Sequence, residues 1–231
     1  MNYMTEASVK LPLYKTVGLQ KSQKRYVPQP ANLKGSANCM LLDLTLARHC
    51  APVLLGKKPS ALFPKPVWWD ALLPQRAAAG DLHFLLLRRN KTGPVFAYSP
   101  QLLPRTLESE EARETLGALG YPVDAEDWGE RTARCLAFLE RRFRESADFP
   151  HEVGFFLGYP PDDVVGFMRH RGNRCKLCGM WKVYGDVPKA VALFAEYAKC
   201  REQLTRHVLN GGGIIMNNDG LYIVIVNRAG F

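Results

Sequence analysis

The chain has 231 residues, 47% hydrophobic and 23% charged, with a formal net charge of +9. That length allows one domain or a tight pair and is enough to bury a real core. The balance is that of a globular protein, which argues against extended disorder, collagen, coiled coil and low-complexity scaffolds. No run of 18 apolar residues occurs, so no transmembrane helix is expected.

The positive charge is unevenly spread. Residues 1–35 carry Lys10, Lys15, Lys21, Lys24, Arg25 and Lys34 against Glu6 alone. This reads as a basic, polar leader ahead of a single domain over residues 36–231. No nucleic-acid recognition signature accompanies it, so nucleic acid is disfavoured as a partner. Met1 to Lys10 has no apolar h-region, so no secretory signal is read there. The six cysteines are then expected to be reduced thiols in the cytoplasm.

Residues 38–50 predict a buried helix, capped by Asn38 and ending near Cys50 because Ala51 precedes Pro52. The proline-rich stretch 51–66 reads as an irregular connection. Residues 82–89 and 94–98 predict a hairpin across the turn residues Asn90–Gly93. A helix is expected over 101–119. The next is capped by Asp124, with Trp128, Thr132, Cys135, Leu136, Leu139 and Phe143 on its apolar stripe. The run Phe149–Leu157 reads as a buried strand, Asp162–His170 as a short helix and 178–184 as a strand. Asp186 caps a long helix, Val187 to about Leu209, whose stripe includes Val187, Ala190, Val191, Phe194, Ala198, Arg201, Leu204 and Val208. Residues 221–226 predict a closing strand. The fold class is α+β (mixed α/β), with helices packed on a mixed sheet. The tetrapeptide Leu-Gly-Tyr-Pro occurs at 119–122 and again at 157–160, which reads as two efficient turn-to-helix junctions.

Cys175-Lys-Leu-Cys178-Gly179 has the knuckle pattern that lets two thiolates share a metal, zinc or iron. The candidates for further ligands are His170, Cys200 and His207. Cys200 and His207 lie about 10 Å apart along one helix, too far to share an ion. The pair could instead be redox-active, with Arg169, His170, Arg171, Arg174 and Lys176 around it. Cys50 beside His49 is a poor nucleophile–base pair, because adjacent helical residues diverge and a helix C-terminus raises a thiol pKa. Cys39, Cys50 and Cys135 are expected to be buried structural cysteines.

His151 and Glu152 are the candidate acid–base residues, set on opposite sides of the expected strand. Position 155 is Phe, so no HExxH zinc motif is present. From Arg169 to Lys182 the chain holds five full positive charges and no acid, with Trp181 and Tyr184 alongside. Arg174 and Lys182 would hold an anionic group, and Tyr159, Trp181 and Tyr184 would pack against it. Neither GxGxxG nor GxxxxGK[ST] occurs, so dinucleotide and P-loop sites lack support.

Three stretches, 49–63 (HCAPVLLGKKPSALF), 149–167 (FPHEVGFFLGYPPDDVVGF) and 181–184 (WKVY), resemble a bacterial domain-of-unknown-function family, the one catalogued as number 3793 and found largely in clostridia and related anaerobes. The resemblance spans roughly residues 38–206 and carries no established activity. It implies a bacterial, cytosolic protein in a setting where thiols stay reduced. The expected function is a small-molecule enzyme or ligand-binding domain for an anionic ligand. The alternative is a metal- or redox-responsive module on Cys175 and Cys178.

Overall fold

The structure, a computed structural model, describes residues 36–72, 82–87 and 93–214. The basic leader, most of the 90–93 turn, the side chain of Cys39 and the expected strand at 221–226 lie outside the described residues.

Helix α1 (Ser36–Leu54) runs a full turn past the expected stop and contains Pro52. Asn38 therefore lies inside its first turn instead of capping it. Proline removes one backbone donor, but the last turn is held by burial: Ala51, Val53 and Leu54 are all in the core. The carbonyls of Ala51 and Pro52 still accept bonds from Leu55, Lys57 and Lys58. The proline-rich connection then yields a strand, β1 (Ser60–Pro64). Its prolines stand at its margin, and β1 is an edge strand, the place where a lost donor is tolerated. After the short helix α2 (Trp69–Leu72) come β2 (His83–Leu86) and β3 (Pro94–Tyr98).

The sheet order is β1-β3-β2, and both pairings are antiparallel. The α+β class stands, although the described strands pair only antiparallel and not as a mixed sheet. Alternation along the strands assigns their side chains to opposite layers. Phe63, Val95 and Ala97 pack with α1, while Leu62, Leu85 and Phe96 face the other way.

That second layer is helical. The expected helix 101–119 is broken into α3 (Leu103–Thr106) and α4 (Glu110–Ala118), because Ser109 adopts an extended backbone and caps α4 through the Ala112 N–H. Helix α5 (Trp128–Glu145) starts later than expected, capped by Asp127 and not Asp124. Its stripe of Thr132, Cys135, Leu136, Leu139 and Phe143 is buried, but Trp128 is exposed beneath Arg131. The run 149–157 is not a strand. Pro150 opens a turn that becomes α6 (Val153–Phe156), since a short apolar run fits a buried helical turn as well as a strand. Phe143, Phe155 and Phe156 are fully buried here, and each such ring contributes roughly 1.5–3 kcal/mol.

Helix α7 (Pro161–His170) follows. The expected strand 178–184 is instead a small antiparallel hairpin, β4 (Leu177–Cys178) and β5 (Lys182–Val183). Helix α8 (Val187–Leu209) matches its expected range, with Asp186 capping the Lys189 N–H. Val191 is exposed, and Tyr197 and Cys200 take the inward positions. The repeated Leu-Gly-Tyr-Pro is a helix stop used twice. Gly120 and Gly158 both take positive φ, and the N–H groups of Tyr121 and Tyr159 both reach back five residues.

Candidate functional site

A crevice opens between α6, α7 and β5, about 210 Å³ including the solvent in its mouth. Its enclosed part has room for about one water molecule. His151, Tyr159, Trp181 and Lys182 line it, together with Asp163 and Phe167. Four of the residues expected at the site are therefore brought together.

Close helix packing builds the crevice. Gly154 lets α6 approach α7 so tightly that a Cβ there would lie 2.8 Å from Val164 Cγ2. Gly158, at φ +70°, passes against the Pro59 ring, where a Cβ would stand 2.6 Å away. These contacts hold Tyr159 over Trp181, with ring centroids 4.6 Å apart and planes at 24°. Phe194 meets the indole edge-on from α8. Lys58 is buried, its Nζ 5.1 Å from the Tyr159 ring and 5.7 Å from the Tyr197 ring.

Asp163 is the organising residue, and it is 2% exposed. Its Oδ2 accepts from Trp181 Nε1 at 2.7 Å, and its Oδ1 accepts from the Tyr184 and Gly185 N–H groups at 2.6 and 2.8 Å. One carboxylate thus fastens α7 to the hairpin and to the start of α8. Its only local signal was an acidic residue in the first turn of a helix.

His151 lies in the turn before α6, its ring 4.7 Å from that of Phe167 and 5.5 Å from that of Phe149. Its Nδ1 is buried with no hydrogen-bond partner among the described residues. Burial lowers its pKa from 6.5, partly offset by the charges of Glu152 and Asp148. The folded state therefore resists protonation. Stability is fully present above 6.5 and is lost as pH falls through the lowered value. Thermal melts between pH 7 and 5 should show a decline that flattens in His151→Gln; an unchanged slope would reject this origin.

Glu152 does not line the crevice. It is buried against α5, where its Oε1 accepts from Arg142 Nε at 3.0 Å and from the Tyr121 hydroxyl at 3.1 Å. Burial alone would lower the Arg142 pKa, but the hydrogen bond and charge of Glu152 reverse this and raise it. Burial, and then the Glu152 charge, push the Tyr121 phenol well up. The geometry is that of a structural ion pair.

Lys182 donates to the Gly172 carbonyl at 2.6 Å, which pins the loop after α7 to the crevice wall. In that loop Arg171 and Arg174 both adopt positive φ, at 50° and 59°. Arg174 is exposed. Tyr184 stacks on His170, and its hydroxyl donates to the Asn173 carbonyl. It packs closely on Gly166, where a Cβ would lie 2.5 Å from the Tyr184 Cβ.

Cys175 is half-buried, Cys178 is exposed, and neither forms a disulfide. Both thiols neighbour Tyr184, whose pKa is raised by burial first and then by Cys175, Asp163 and Cys178. Among the described residues no three His, Cys, Asp or Glu side chains stand together to hold a metal ion. His170 is occupied with Tyr184, Cys200 is in the α1–α8 core, and His207 turns toward the Gly213 carbonyl. Gly179 has a packing reason of its own, because a Cβ there would lie 2.0 Å from the Phe194 ring. Cys50 and Cys135 are buried as expected, and burial pushes the Cys135 thiol up to about 11.

The fold is that of an α+β protein in which a helical pair and a small hairpin enclose a crevice lined by aromatic rings, a histidine, a lysine and an aspartate. The chain belongs to the family described as protein of unknown function (DUF3793), whose model matches residues 46–215. No curated protein and no solved structure matches the chain. Among the described residues no helix is long and apolar enough to cross a membrane.

Proposed function

We propose that this protein binds a small anionic molecule in the crevice between α6, α7 and β5. It acts as a ligand-binding domain or small-molecule enzyme of the bacterial cytoplasm. The observation that carries this reading is the buried, unpartnered Nδ1 of His151 on the wall of a crevice shared with Tyr159, Trp181 and Lys182. Leaving such an atom without a partner costs about 1–3 kcal/mol, which a bound polar atom would recover. Lys182, the lysine of the lining, sets the sign of the ligand. Asp163, the one acid in the lining, already accepts three hydrogen bonds. If the ligand reacts, a neutral His151 offers one N–H and one lone pair and can move a proton in either direction.

The test is titration with acetate and inorganic phosphate, read by the His151 imidazole resonances and by calorimetry. A saturable shift is expected at His151. His151→Ala should abolish binding with a Tm close to wild type, since loss of the unpartnered nitrogen offsets lost ring packing. Undiminished binding by His151→Ala, or no saturable shift with either anion, would overturn the proposal.

A metal- or redox-responsive role for Cys175 and Cys178 is the second reading. It is favoured by two free thiols sharing one neighbour, Tyr184, in a segment without acids. As a metal site it has two ligands and needs more from elsewhere.

A further inference from the structure

We infer that the anion is a phosphate monoester, held at the mouth of the crevice by the loop from Arg171 to Arg174; this rests on the crevice reading above. Three independent features of the loop point there. The first is its charge. Arg169, Arg171 and Arg174 are exposed, and none has a carboxylate partner among the described residues. Surface arginines commonly find an acid nearby, but residues 169–182 contain none.

The second feature is a fastened backbone. The Gly172 carbonyl accepts from Lys182 Nζ and the Asn173 carbonyl from the Tyr184 hydroxyl. The Gly172 N–H bonds to the Phe167 carbonyl and the Asn173 N–H to the His170 carbonyl. The loop, with Gly172 buried and Arg171, Asn173 and Arg174 exposed, is thus fastened at both of its central positions. The third is its backbone. Arg171 and Arg174 both sit in the left-handed region that glycine occupies most easily. Arg171 fills the helix-stop position where glycine is the usual residue. An arginine at each of two positions where glycine would be less strained points to a use for the side chains.

The loop borders the crevice directly. Gly172 packs on the ring of Phe167 and beside Lys182 Nζ, and both of those residues line the crevice. Two guanidinium forks and an ammonium suit a dianion with three terminal oxygens better than a carboxylate with two. The enclosed space beside His151 then takes the first polar group of the esterified molecule, such as a hydroxyl.

The test compares inorganic phosphate, glycerol phosphate and acetate on wild type and on Arg171→Gly/Arg174→Gly. Glycine fits both backbone positions, so this variant should fold with an equal or higher Tm. The wild type should bind the phosphates at least about tenfold more tightly than acetate, and the variant should lose about tenfold or more for phosphate while keeping its acetate affinity. Equal phosphate binding by the variant, or no preference for phosphate over acetate, would overturn the inference while the His151 shift still upheld the crevice. No His151 shift with any of these anions would overturn both. Sedimentation with phosphatidic-acid vesicles, without binding of glycerol phosphate, would assign the loop to a membrane surface and also overturn it.

Discussion

Replacing Asp163 with alanine is expected to lower the free energy of unfolding by about 3–5 kcal/mol, because it strands one buried and two part-buried donors at once. Those donors are the Trp181 indole and the Tyr184 and Gly185 amides. Asp163→Asn should cost less, about 1–3 kcal/mol. Its oxygen can still accept from the two amides, but its NH2 group then faces the indole N–H, donor against donor. Adding Trp181→Phe to Asp163→Asn removes that conflict, so the double variant should be more stable than the sum of its parts. Urea denaturation followed by circular dichroism reads all three; a loss below about 1 kcal/mol for Asp163→Ala would show that the hydrogen bonds are not holding the hairpin.

Glu152→Ala should be the second most damaging change, at about 2–4 kcal/mol. The Tyr121 hydroxyl loses its partner in a buried setting and accounts for most of the loss. The Arg142 side chain is 36% exposed and can return to water, so its share is smaller. Tyr121→Phe should therefore rescue part of the defect in the Glu152→Ala background, and Glu152→Gln should retain more stability than Glu152→Ala. Strict additivity of Tyr121→Phe and Glu152→Ala would reject the contact as the cause. Because Glu152 is outside the crevice, Glu152→Gln should leave anion binding unchanged while His151→Ala abolishes it, which separates two neighbours in sequence by their effects.

Local signals were readable where they were strong. The long helix α8 carries a cap at Asp186 and a sustained apolar stripe, and it was found at its full length. The hairpin of β2 and β3 was legible from two apolar runs around turn residues. The run 149–157 was not, because nine apolar-rich residues satisfy a buried strand and a buried helical turn equally, and tertiary packing against α7 decides between them. Pro52 misled for a related reason: a local preference to stop the helix was outweighed by core contacts along α8.

At the site, His151, Tyr159, Trp181 and Lys182 were legible as chemistry-bearing types within one stretch. Glu152 was grouped with them only by adjacency, and its true partners lie 10 and 31 residues upstream. Asp163 was illegible for the converse reason. Its three donors come from a hairpin 18 to 22 residues downstream, which no periodicity connects to a helix start. The left-handed arginines carry no sequence mark at all, since arginine does not advertise positive φ as glycine does.

With the exception of Lys58, every residue of the site lies between His151 and Tyr197. By contrast, the packing of α1 on α8 joins segments separated by most of the chain. Chain-closure entropy grows with the separation of the joined residues, so these two assemblies differ in the order in which they become affordable during folding. The crevice closes small loops and is organised by near neighbours. The α1–α8 union closes a far longer loop and carries the larger closure cost. The crevice, lined by residues 151–182 alone, draws on none of those distant contacts.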